Sequence, residues 1–244
     1  MKYYIYNDKM IKLIDLLENK ILIPRRSPEE RSKNFLIATQ KKIQQYIKDG
    51  SKGGLNLAGT PITSLPQGLT VGGNLSLNNT LITTLPQGLK VGGTLNLYGS
   101  KITSLPQGLT VGDNLYLSNT PITSLPKGLK VGGNLRLNNT LITTLPQGLT
   151  VGGNLNLYGS KITSLPQGLT VGGNLNLYGG KITSLPQGLT VGGDLNLDNT
   201  PITSLPQGLT VGGNLNLRDT PISKKYSKEQ IQQMVPGVKG KIII

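Results

Sequence analysis

Cysteine, histidine and tryptophan are absent from the 244 residues, and phenylalanine occurs once. Without Cys or His there are no disulfides, no thiolate or imidazole metal ligands, and no Cys- or His-based nucleophilic chemistry. The lack of Cys is compatible with any redox compartment and so assigns none. Aromatic residues make up only 4% of the chain, so no core can form around large rings, and whatever is buried has to be aliphatic. Long apolar runs are missing as well, since nothing approaches the ~20 residues that cross a bilayer. The N-terminus, MKYYIYNDKMIKLIDLLENK, has neither the long apolar stretch nor the small-residue cleavage site of a secretion signal. The expectation is a soluble protein without membrane association, either cytoplasmic or exported by a non-classical route.

Acidic residues are also scarce, 11 against 25 Lys and Arg, giving a net charge of +14. Residues 1–50 and 51–222 each carry +5 and residues 223–244 carry +4, so positive charge is densest at the two ends. Basic ends that keep a nearly neutral middle soluble account for this distribution. Nucleic acid or another anionic polymer binding through those ends is the alternative. The acids of the middle region are Asp113, Asp194, Asp198 and Asp219. Asp194 and Asp198 fall close together but lack a third ligand, and read as solvated surface. No catalytic constellation, metal site or cofactor motif can be assembled. The recurring GLTVGG lacks the Lys-Ser/Thr of a phosphate loop and a helix to follow it.

What the chain has in abundance is glycine, 33 residues, and proline, 15, arranged in a 20-residue period without insertions. An L-x-L pair recurs nine times, from Leu55/Leu57 to Leu215/Leu217, and eight copies continue as I-T-[ST]-L-P-[QK]-G-L-[TK]-V. In N-L-N-L-Y (154–158), apolar and polar residues alternate with period 2, the pattern of a half-buried strand. Leu155 and Leu157 point inward, and Asn154, Asn156 and Tyr158 outward. Pro166 and Gly168 exclude a helix from the return segment. Leu165, Leu169 and Val171 re-enter the core, and Gly172-Gly173 turns the corner into the next strand. One such turn cannot bury its own aliphatic side chains, so the turns must stack. Identical residues then form ladders, Leu inside and Asn outside, with Asn amides linking neighbouring rungs.

L-x-L-x-x-[TS]-x-I-T-x-L-P resembles the leucine-rich repeat in its short bacterial form, the 20-residue YopM/IpaH type with its LTxLP continuation. The resemblance covers about 55–222. It implies an α/β-type solenoid: a leucine-rich-repeat-like parallel sheet of about nine rungs, with a helical N-terminal cap and a helix-plus-strand C-terminal cap. The expected divisions are 1–52 for the N-terminal cap or docking region, 53–222 for the solenoid and 223–244 for the C-terminal cap. Two columns depart from the family pattern. Thr, Ser or Gly replaces the ladder Asn, as in Thr60, Ser100 and Gly180, and VGG stands where another Leu is usual. The LPxGLxVGGxLxL style is also similar to repeat proteins encoded by bacteriophages, which implies a virion component or a factor acting on a host protein. The ligase activity of the IpaH type depends on a cysteine in an additional domain and does not carry over to a chain without cysteine.

At the N-terminal end, Asp8 is a candidate cap for a first helix running to about Asn19. S-P-E-E-R (27–31) signals a second helix, with Ser27 as cap, Pro28 in the first turn and Glu30 three residues on. That helix is expected to run to Lys48, with Gly50 as terminator, and to cover the first rung. Its alternative role is a basic docking module carrying Arg25, Arg26, Arg31, Lys41 and Lys42. In the tail, a helix is expected from Ser227 to the break at Pro236-Gly237. If Ile242 and Ile244 take the L-x-L role, a final rung follows a 27-residue turn. Lys239 and Lys241 suit an edge strand that must not pair with strangers.

The columns free to vary are the outward ones. Their exceptions to Asn are Tyr98, Tyr116, Arg136, Tyr158, Tyr178, Asp198 and Arg218. Lys101, Lys161 and Lys181 follow the Tyr residues of one column at the strand exit. Tyr158 and Tyr178 occupy the same column on successive rungs and should stack. A Tyr surface flanked by Asn and Lys suits a protein or a sugar, with a protein the favoured partner. The candidate binding face is therefore Tyr98, Tyr116, Arg136, Tyr158, Tyr178, Arg218, Lys101, Lys161 and Lys181. Segment 78–89 recurs at 138–149 and segment 98–109 at 158–169, so block duplication also accounts for the repeated Tyr. The expected function is a non-catalytic scaffold.

Overall fold

A computed structural model describes residues 27–244. The chain divides into two compact units, Met1–Ala38 and Thr39–Ile244. The expected first helix and Arg25 and Arg26 lie outside the described residues.

Helix α1 (Pro28–Lys48) begins as the sequence predicts. Ser27 Oγ accepts from Glu30 N at 3.1 Å, and Glu30 Oε2 accepts from Ser27 N at 2.9 Å, which is a reciprocal capping box. Gly50, with φ +79°, follows its end. Within the larger unit the helix contributes its last residues to the first rung. Ile43 is buried, and the Tyr46 hydroxyl donates to Ser51 O at 2.7 Å and accepts from Gly72 N at 3.3 Å. Lys42 Nζ donates to Asn56 O at 2.6 Å. That carbonyl belongs to the outermost strand, so Lys42 satisfies an acceptor that has no further rung to meet.

The repeats build a parallel solenoid. Ten strands, from Leu55–Asn56 to Ile242–Ile243, form one sheet in sequence order. Register is strict, with Leu155 paired to Leu135 on one side and to Leu175 on the other. The assigned strand covers only two residues per rung, so Tyr158 stands at the start of the following turn. Rungs are numbered one to ten by these strands.

A second sheet was not expected. Six Thr-Val pairs, such as Thr150–Val151 and Thr170–Val171, and two Lys-Val pairs form eight parallel strands on the return limb. Val points inward and Thr or Lys outward, so this short segment also alternates with period 2. Each core parcel therefore lies between two sheets. Leu155, Leu157, Ile162, Leu165, Leu169 and Val171 are all at most 7% exposed. Burying one such side chain is worth about 1.5–3 kcal/mol, and only the neighbouring rungs can supply the cover.

Two glycine columns have different causes. Gly168 closes the Pro166–Leu169 turn with φ +70°, and a Cβ added there would meet nothing. It is kept for its backbone conformation. Gly172 has no positive φ, but an added Cβ would overlap the carbonyl oxygen of Gly152 on the preceding rung. The VGG glycines therefore admit close stacking of backbone on backbone as well as turning a corner.

The column where Thr replaces the usual ladder Asn is buried from Thr80 onward and half-buried at Thr60. Thr140 Oγ1 donates to Leu137 O at 2.8 Å, and Thr60, Thr80, Thr120 and Thr220 repeat the bond three residues back. The two Ser of the column, Ser100 and Ser160, do not repeat it, and Ser100, 1% exposed, is the one described residue with a fully buried side-chain oxygen that has no partner.

The solenoid closes with two short helices. Helix α2 (Pro221–Lys225) starts at Thr220, whose Oγ1 accepts from Ser223 N at 3.2 Å, and it was not expected. Helix α3 (Lys228–Met234) starts at the predicted Ser227, with a capping box to Gln230. The Ser227 hydroxyl also donates to Glu229, which holds that carboxyl below the ordinary carboxylate range. The tail then forms the tenth rung, with Ile242 opposite Leu215, and Val238 bridges Val211 in the second sheet. Leu215 N and Leu217 N donate to Lys241 O and Ile243 O at 2.9 and 2.7 Å. Ile242 is buried, whereas Ile244, expected to match it, is 40% exposed.

Candidate functional site

The solvent side of the ten-stranded sheet carries three columns, and the first is structural. Asn134 Oδ1 accepts from Asn154 N, and Asn154 Oδ1 accepts from Asn174 N, each at 2.7 Å. Asn174 Oδ1 accepts from Asp194 N at 2.7 Å, Asp194 Oδ1 from Asn214 N at 2.6 Å, and Asn214 Oδ1 from Lys241 N at 2.8 Å. The ladder expected between amides is mainly a ladder from backbone N–H to side-chain oxygen. It satisfies strand-entry N–H groups that the corner leaves unpaired.

The second column is structural where it holds Asn. Asn96, Asn156, Asn176, Asn196 and Asn216 each accept from the backbone N–H two residues ahead, as Asn156 Oδ1 does from Tyr158 N at 2.9 Å. Tyr116 and Arg136 interrupt this column on adjacent, paired rungs. The Arg136 guanidinium carbon lies 4.8 Å from the centroid of the Tyr116 ring, a cation–π contact.

The third column holds Tyr98, Tyr158, Tyr178 and Arg218. Tyr158 and Tyr178 stack as expected, with ring centroids 5.5 Å apart and planes 9° from parallel. Tyr158 remains 47% exposed. Tyr98 stands apart from that pair, and its hydroxyl accepts from Asn119 Nδ2 at 2.8 Å. Arg218 is exposed, its backbone N–H donating to Asn216 Oδ1 at 3.1 Å. Lys101, Lys161 and Lys181 are exposed on the return limb. The structure thus joins four of the nine candidates into two pairs, Tyr116 with Arg136 and Tyr158 with Tyr178. It joins neither pair to Tyr98 or Arg218.

The residue after each Tyr explains a further regularity. Gly99, Gly159 and Gly179 share a column with Asn79, Asn119, Asn139, Asn199 and Asp219, and all have φ between +54° and +65°. Only Gly, Asn and Asp visit this region readily, so that column varies for backbone reasons. Asp194 is occupied in the ladder and Asp198 accepts from Asn216 Nδ2 at 3.4 Å. No group of three potential metal ligands occurs among the described residues. No described helix is long and apolar enough to cross a membrane.

Sequence reasoning recognised the Asn columns but missed that their oxygens are consumed by backbone N–H groups. Asn134, Asn154, Asn156, Asn174 and Asn176 line a shallow depression of about 210 Å3 with Arg136. The available signal was the restriction of the first column to Asn and Asp on the last six repeats, which marks a required acceptor.

No protein-family model matches the sequence, and neither does any curated protein. Among solved structures the chain is similar to YopM from Yersinia enterocolitica WA-314, with a TM-score of 0.53 and 21% identity. The likeness covers 87% of this chain and 46% of that one, so the chain spans less than half of YopM. The fold is thereby that of a leucine-rich-repeat solenoid.

Proposed function

We propose that the chain is a non-catalytic repeat scaffold that binds a protein through the outer face of its ten-stranded sheet. The observation that carries this reading is the pairing of solvent-facing side chains where the Asn columns are broken, exposed Tyr158 on half-buried Tyr178 and exposed Arg136 over half-buried Tyr116. Tyr and Arg are the residues that anchor protein interfaces, because they present a large rigid contact area together with hydrogen-bonding groups. The leucine-rich-repeat fold supports the same reading, since a solenoid offers an extended surface whose inner columns are committed to stacking. The phage setting implied by the LPxGLxVGGxLxL style makes a virion or host protein the partner to look for.

Affinity capture from extract of the source organism, with wild-type protein and a Tyr158→Ala/Tyr178→Ala/Arg136→Ala variant, tests this. The wild type should enrich a protein that the variant loses while both melt cooperatively at similar temperatures. Equal capture by both, or capture that nuclease abolishes, would overturn it in favour of another surface or of a nucleic acid held by the basic ends. Salt separates the last case, because phosphate contacts weaken steeply as salt rises.

A further inference from the structure

The depression on the fifth to seventh rungs has a defined hydrogen-bonding polarity. Asn154 and Asn174 each turn Oδ1 onto a backbone N–H of the next rung at 2.7 Å. Asn156 and Asn176 turn theirs onto Tyr158 N and Tyr178 N at 2.9 and 3.0 Å. A carboxamide has one accepting end and one donating end. With the oxygens committed inward, the four Nδ2 groups are the ends left for a ligand. Arg136 adds a permanent cation at the edge of the same depression, and no carboxylate lines it. Asp194 and Asp198 bound the patch one rung beyond. The lining is therefore donor-rich, and its one charged side chain, Arg136, is a cation.

Its spacing is fixed by the sheet. Asn156 pairs in register with Asn176, so donors in one column stand one strand spacing apart, about 4.8 Å. The two columns are two residues apart along the strand, roughly 6.6 Å. A carboxylate centred between two nitrogens about 4.8 Å apart can accept from each with a different oxygen. Carboxylates on alternate residues of an extended peptide are separated by the same roughly 6.6 Å.

We propose that this depression binds an extended acidic segment of a protein partner, with carboxylates at positions i and i+2. One is seated on Nδ2 of Asn154 and Asn174, the other on Nδ2 of Asn156 and Asn176, and Arg136 supplies the charge. The inference rests on the outer face being a protein-binding surface and adds the chemistry of the partner. Charge complementarity selects this occupant: Arg136, held over the Tyr116 ring, is the one charge lining the depression, so it attracts a carboxylate and repels a basic segment.

The chain contains its own control for the test. Asp194 stands in the column of Asn154 and still accepts the next rung's N–H. In the double variant Asn154→Asp/Asn176→Asp, the first substitution therefore keeps its inward bond, and the second keeps an oxygen for Tyr178 N in the same local turn; each replaces one outward donor of a seat by an anionic acceptor. The probes are a fluorescein-labelled octapeptide alternating Ser and Glu, its Ser/Gln analogue and an oligogalacturonate, titrated by anisotropy against the whole chain. The Glu peptide should bind, the Gln analogue about tenfold or more weakly, and the double variant should lose about tenfold in affinity for the Glu peptide with cooperative melting retained. Arg136→Gln, outside the Asn ladder, should weaken the same peptide if the double variant fails to fold. Equal binding of the two peptides, or no effect of the substitutions, would overturn the proposal. Binding of oligogalacturonate without the Glu peptide would overturn it in favour of an acidic sugar laid against Tyr158. If extract proteins are captured equally by wild type and the double variant, the scaffold reading stands and the acidic segment falls. If the Glu peptide binds as expected but no protein is captured, the scaffold reading is the one that fails.

Discussion

Thr94 Oγ1 donates to Asp113 Oδ2 at 3.0 Å across one rung, and two repeat columns change together at this point. Thr94 replaces the ladder Asn, and Asp113 replaces the second glycine of VGG on the following rung. Elsewhere the two choices are coupled by sterics. A Cβ added at Gly93, Gly153, Gly173, Gly193 or Gly213 would overlap the Oδ1 of the Asn or Asp on the preceding rung. Where that residue is Thr94, the space is free and Asp113 fills it. Asn114 Nδ2 then donates to both Thr94 Oγ1 and Asp113 Oδ2, at 3.1 and 2.9 Å.

This coupling predicts a non-additive double mutant. Thr94→Asn alone drives its amide into Asp113 and should cost about 1–2 kcal/mol, an overpacking penalty. Asp113→Gly alone loses two hydrogen bonds and adds backbone freedom, costing roughly 1 kcal/mol. The double variant restores the pattern of the other rungs and should be more stable than the sum by about 1 kcal/mol or more. Urea unfolding of the four proteins measures it, and simple additivity would refute the coupling.

The two glycine columns should respond differently to asparagine. Gly168→Ala should cost about 1–2 kcal/mol, and Gly168→Asn should recover part of it, because Asn tolerates a left-handed backbone. Asn occupies positive φ at Asn79, Asn119, Asn139 and Asn199 in this same chain. Gly172→Ala and Gly172→Asn should both cost about 1–3 kcal/mol with no recovery, since the obstacle is the Gly152 carbonyl. Thermal melting of the four variants distinguishes the two causes.

The buried hydroxyl column gives a sign test. Thr140→Val keeps the shape and removes the bond to Leu137 O, which should cost about 1 kcal/mol. Ser100→Ala removes a buried hydroxyl without a partner and should be neutral or stabilising, by up to about 1 kcal/mol. A clear loss of stability in Ser100→Ala would show that its hydroxyl is bonded in solution.

Removal of residues 223–244 should make the protein self-associate. The tail supplies acceptors to Val211 N, Leu215 N and Leu217 N, and its loss uncovers the ninth rung as an open edge. Light scattering during gel filtration should show oligomers or aggregates, and a monodisperse monomer would count against the tail as a cap.

Lys241 gives a finer version of this experiment. It sits where earlier rungs place Asn or Asp, so its backbone N–H donates to Asn214 Oδ1 but its side chain offers no acceptor to a further strand. Lys241→Asn restores that acceptor and should increase concentration-dependent association while melting little changed. No change in sedimentation would indicate that the ladder's end does not control self-pairing.

The 20-residue period, the alternation of N-L-N-L and the Pro and Gly positions were sufficient to determine stacking, because one rung cannot bury its own aliphatic side chains. Ser27 and Ser227 announced their helices for a local reason, the reciprocal bonds to Glu30 and Gln230. The tenth rung was also readable, through the spacing of Ile242. The second sheet was not, since two-residue Thr-Val strands carry too little periodicity and exist only because neighbouring copies pair. Helix α2 was missed because its Thr220 cap reads as an ordinary repeat residue. The variable outer columns could be found in the sequence, but their grouping could not. Tyr158 meets Tyr178 and Arg136 meets Tyr116 because stacking brings residues 20 positions apart to one strand spacing. The backbone also turns the Asn oxygens inward, through N–H groups of the neighbouring rung in the first column and of the same rung two residues ahead in the second, and that choice of direction sets the chemistry the face presents.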